Sequence, residues 1–116
     1  MKKIMLLLAF LSGCSSFHLE QDLKHLTGMI HVTYLCVEDT EKPIPAQWNQ
    51  ETDCIELNME EMQWIADQYG EDAVKGIWLH ELARYKKEEP VSFVDLQMKK
   101  YRIDPAEYRR YQNRNE

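Results

Sequence analysis

The sequence predicts an α+β fold, a short antiparallel sheet backed by three to four helices, and three observations carry that expectation. Two runs rich in β-branched and aromatic residues, 29–37 and 53–57, read as strands. Beyond them, apolar residues recur at intervals of three and four, the spacing of amphipathic helices. The 116 residues, 44% apolar and 29% charged with only four Gly and four Pro, fit one domain with one modest core. The same balance excludes collagen-like, coiled-coil and low-complexity chains and argues against intrinsic disorder. A net charge of −6 makes a nucleic-acid partner a poor match, because such binders must neutralise phosphates.

The first element is an address. Lys2 and Lys3 precede eight consecutive apolar residues, Ile4 to Leu11, as in the n-region and h-region of a secretory signal. Eight helical residues span about 12 Å, far short of a ~30 Å hydrocarbon core. Leu11-Ser12-Gly13-Cys14, directly after this run, resembles a bacterial lipobox. That resemblance implies removal of residues 1–13 as a signal peptide, diacylglyceryl transfer to the Cys14 thiol, and acylation of the new amino group. Several acyl chains, at about 0.8 kcal/mol per buried CH₂, hold a protein persistently at a membrane. Ser15 follows Cys14, and the resemblance to sorted lipoproteins, in which an Asp there would favour retention, implies the periplasmic face of the outer membrane. Residues 14–28, polar with scattered Leu, read as a lipid-anchored tether containing a helical stretch from Leu19 to Leu26, and residues 29–116 as the domain.

Within that domain, Ile30, Val32, Tyr34 and Cys36 alternate with His31, Thr33, Leu35 and Val37, a strand buried on both faces. Residues 38–52, with acids, Pro43 and Pro45, read as loop, and Asp53–Leu57 as a second strand. Cys36 and Cys54 form an even pair, which in an oxidising periplasm reads as a disulfide worth about 3 kcal/mol. A structural zinc site would want the shorter C-x₂₋₄-C spacing. Asn58 with Glu61 suggests a capping box for a helix carrying Met59, Met62, Ile65, Ala66 and Tyr69, ended by Gly70. A second helix, Asp72 to Lys87, has the stripe Val74, Ile77, Trp78, Leu82 and Tyr85. Pro90 breaks the chain, Ser92 with Asp95 starts a third helix to Tyr101, and Asp104-Pro105 opens a last one over Ala106–Arg114. Charge is uneven: residues 38–72 hold eleven acids and one base, a solvated acidic face or a docking surface for a basic partner.

One stretch resembles chemistry. In the second helix, His80-Glu81-Leu82-Ala83-Arg84 departs by one residue from H-E-x-x-H, where two imidazoles one turn apart bind Zn²⁺ and the Glu polarises the metal-bound water. The succession of strand 52–58, backing helix, Tyr69-Gly70 and His80 helix, followed by Val94–Met98 and Ile103-Asp104-Pro105, resembles a zincin-type zinc metallopeptidase. The resemblance implies a zincin-like arrangement with an edge strand at residues 52–58, His80 as the first metal ligand and Glu81 as the general base. Arg84 breaks the motif, since a guanidinium has no lone pair to give a metal, and its expected partners are Glu81 or Glu88. No Glu stands at the third-ligand place within the following helix, and Glu88 and Glu89 lie too close behind the His80 helix. A lone His beside Trp78 and Leu79 is also, more often than not, an ordinary packed or surface residue.

The resulting expectation is a lipid-anchored envelope protein with a degenerate metallopeptidase-like domain. It would have no catalytic activity and no cofactor, and would act as a binding or accessory module for a peptide or protein. The alternatives are a zinc-dependent peptidase recruiting further ligands, such as His31 or a downstream acid, and a small envelope lipoprotein of unrelated fold.

Overall fold

A computed structural model describes residues 14–32 and 34–114; residues 1–13, read above as a signal peptide, lie outside the described residues. Helix α1 (Cys14–Met29) leads into strand β1 (Val37–Asp39), β2 (Ala46–Asn49) and β3 (Cys54–Leu57). Helices α2 (Met59–Tyr69), α3 (Glu71–Tyr85), α4 (Pro90–Tyr101) and α5 (Pro105–Gln112) complete the chain. The α+β class holds, with five helices among the described residues rather than three or four. The sheet is mixed, not antiparallel. Its order is β1-β3-β2, with β1 parallel to β3 (Val37 opposite Ile55) and β2 antiparallel to it (Trp48 opposite Ile55).

Two expectations at the N-terminal end are corrected. Residues 14–28 are helix throughout, and Leu19, Leu23 and Leu26, spaced to share one helical face, are buried in the same core as α3. The stretch read as a tether is therefore an integral part of the domain. The expected strand over 29–37 shrinks to its last residue. Ile30, His31 and Val32 bond back to Leu26, Gly28 and Thr27 as α1 ends, and His31 takes a left-handed conformation (φ 62°). The Tyr101 hydroxyl donates to the Met29 carbonyl at 3.0 Å, fixing that end. β propensity in this run yields to packing of the helix it follows. Thr33 lies outside the described residues.

The C-terminal helices follow their local signals more closely. Asn58 accepts the Glu61 N–H at 3.1 Å and caps α2, but its own N–H goes to the Pro45 carbonyl, so the reciprocal half of the capping box is not made. Pro90 opens α4 instead of breaking the chain ahead of it. Glu89, not Ser92, is the cap, its carboxylate accepting the Val91 and Ser92 N–H groups. Asp104 caps α5, with Pro105 in the first turn.

Helix α3 is the hub. Nine of its residues are buried, from Ala73 to Ala83, and it touches α1, α2, α4, α5, β2 and β3. Its start is capped from α5, since Glu107 accepts the Asp72 N–H at 3.0 Å while Asp72 accepts the Asp104 N–H at 2.8 Å. Gly70, the residue between α2 and α3, has φ 108°, and a Cβ there would strike the Glu107 carboxylate. Gly76 lets α5 approach, because a Cβ would come within 2.4 Å of the Tyr108 ring. No helix among the described residues is long and apolar enough to cross a membrane.

Candidate functional site

The buried faces of α3 leave a narrow wet stripe on which His80 is half-buried and Arg84 exposed, one turn apart. Glu81 points inward and is 8% exposed. Its neighbour across the gap is β2, the edge strand, whose Trp48 N–H faces away from β3. Glu81 Oε1 accepts that N–H at 2.7 Å, and Oε2 lies 3.2 Å from His80 Nδ1. A buried carboxylate thus satisfies a backbone donor that a sheet edge would otherwise leave unpaired.

The surrounding groups are similarly engaged. Trp48 donates its indole N–H to Asp53 at 2.8 Å, and the Lys87 ammonium lies 4.0 Å over the Trp48 ring and 3.7 Å from Asp53. Glu89 is held below the usual carboxylate range mainly by the Ser92 and Val91 N–H groups, with His80 a smaller contributor. Glu88 meets Lys86 at 3.9 Å. Among the described residues Arg84 pairs with neither Glu81 nor Glu88, contrary to expectation, because Glu81 is turned into the α3–β2 contact. Burial, with a contribution from the Glu81 carboxylate, pushes the Tyr108 phenol up to about 12, so it stays protonated at neutral pH.

Among the described residues, no trio of His, Cys, Asp or Glu converges on His80; the one such group is Cys36, Glu38 and Cys54. Within it, Cys36 and Cys54 are joined as a disulfide with Cα atoms 4.6 Å apart, as the even pair of thiols suggested, so neither offers a thiolate. It ties the residue before β1 to the first residue of β3 and encloses β2. The expected edge strand is also displaced. Residues 54–57 are the central strand, and the edge beside the His80 helix is β2, which sequence reading had assigned to loop. The signal for β2 was slight: Ala46–Asn49 holds one strong β-former, Trp48, followed by a polar turn leading straight into β3.

A second feature escaped sequence reading altogether. Between α1, the sheet and α3 lies a cavity of about 320 Å³, bounded by Leu23, Val37, Leu57 and Trp78 with Glu20 and Lys24. The polar handle of Trp78 is satisfied there, its indole N–H reaching Thr27 Oγ1 at 2.8 Å. Glu20 Oε2, by contrast, is buried and has no hydrogen-bond partner among the described residues. No protein-family model, curated protein or solved structure matches this chain.

Proposed function

We propose that this chain is a lipid-anchored envelope protein, held through Cys14 at the periplasmic face of the outer membrane, and that its domain is a binding or accessory module without hydrolytic activity. The observation that supports the inactive reading is the Glu81 carboxylate. It is enclosed and bonded to the Trp48 backbone, where a general base would need access to a metal-bound water. His80 offers one imidazole, Arg84 offers no lone pair, and Glu89 is occupied as a helix cap. The order strand, backing helix, His80 helix agrees with a zincin-like scaffold; the central position of β3 departs from it.

The test is elemental analysis of the purified full-length chain after exposure to zinc, beside an otherwise identical His80→Ala variant. The expected result is no stoichiometric zinc in either. Zinc bound in one-to-one ratio and lost with His80→Ala would establish a metal site and refute the module reading. For the anchor, Cys14→Ser should move the protein from the membrane to the soluble fraction. Unchanged membrane association would refute lipidation at Cys14.

A further inference from the structure

We propose that the cavity between α1 and α3 is a binding site for small apolar amines, with the Glu20 carboxyl as the group that receives the ammonium. The inference is independent of the His80 stripe. At about 320 Å³ the cavity falls at the lower end of small-molecule sites, and its walls follow their usual pattern of apolar side chains with a few polar groups. Thr27 is already engaged, donating to the Leu23 carbonyl at 2.7 Å and accepting from Trp78. Lys24 is exposed at the rim and makes no ion pair with Glu20 among the described residues, although it stands one turn away on the same helix. Glu20 remains as a carboxyl 3% exposed with a buried, unpartnered oxygen.

Such a group is costly in isolation and is relieved by a hydrogen-bond donor, most of all by a charged one. The charged groups acting on it are Lys24 on its own helix and Asp39 of β1. Burial raises the Glu20 pKa, Lys24 offsets part of that rise and Asp39 adds to it, so on balance the carboxylate form is only partly compensated at this site. A carboxylate ligand would bring a further negative charge beside Glu20 and Asp39. An alcohol would supply a hydrogen bond but no charge. An ammonium supplies both, and the Leu23, Leu57 and Trp78 surfaces accommodate its apolar body.

Three probes of matched shape decide the matter: benzylamine, benzyl alcohol and benzoate, titrated calorimetrically into the full-length chain at neutral pH. Benzylamine is expected to bind at least about tenfold more tightly than either of the others. Glu20→Gln should level the three. In the unaltered chain, the advantage of benzylamine over benzyl alcohol should shrink as pH falls toward 4.5, because a protonated Glu20 carboxyl no longer pairs with an ammonium. This measurement stands even if Glu20→Gln fails to fold. Equal or tighter binding of benzoate or benzyl alcohol, benzylamine binding indifferent to Glu20→Gln, a benzylamine advantage that grows on acidification, or no saturable binding at all would each overturn the proposal.

Discussion

At the scale of single residues, two buried carboxyls are treated in opposite ways. Glu81 is matched to a backbone N–H and to His80, whereas Glu20 Oε2 is unmatched, and the difference has a measurable sign. Because burial raises the Glu20 pKa in the folded state, unfolding releases a proton between the ordinary value of 4.5 and the raised one. Folding stability contributed by this group is therefore present below that window and lost as pH rises through it. Glu20→Gln should melt at a higher temperature than the native chain at pH 7, with the gap closing as pH falls toward 4.5. Thermal melts across that range check it; a gap that widens on acidification would contradict it. Glu20 was not conspicuous in the sequence, because an acid between Leu19 and Gln21 reads as solvated until the α1 face is known to be covered.

Elements differ in how far their own residues specify them. Helices α2 and α5 were legible almost to the residue, since Asn58, Gly70, Asp104 and Pro105 act within one turn of the ends they define. Strand β2 was not, because its four residues are held from outside, by pairing with β3 and by a carboxylate 33 positions away. The His80-Glu81 dipeptide was visible from its spacing, but the use of Glu81 as a partner for an edge strand depends on that unseen neighbour. The Cys36–Cys54 bridge encloses β2, so reducing it frees the strand that has the fewest local reasons to form. Reduction is expected to lower stability by about 3 kcal/mol, measured by urea unfolding with and without reductant. An unchanged midpoint would mean the sheet holds without the bridge.

For the whole molecule, α1 decides where the domain begins. A chain starting at Met29 lacks Leu19, Leu23 and Leu26, each contributing about 1.5–3 kcal/mol by burial, against a usual total of about 5–15 kcal/mol. It should show no cooperative thermal transition by circular dichroism, while a chain starting at Cys14 should melt sharply. Similar melting of the two would return α1 to the role of a dispensable linker. Sequence reading found the helical stretch but not its integration, because periodic leucines amid polar residues look alike on a free amphipathic segment and on one face of a core.

That integration also bears on the proposed anchor, because it sets how far a chain acylated at Cys14 could stand from a bilayer. Leu19, the first core leucine, lies five positions along the helix from Cys14, a rise of roughly 8 Å along a rigid rod. An acylated Cys14 would therefore give the domain no leash. It would ride against the headgroups with its tilt restricted by α1, meeting only molecules that come to the lipid surface.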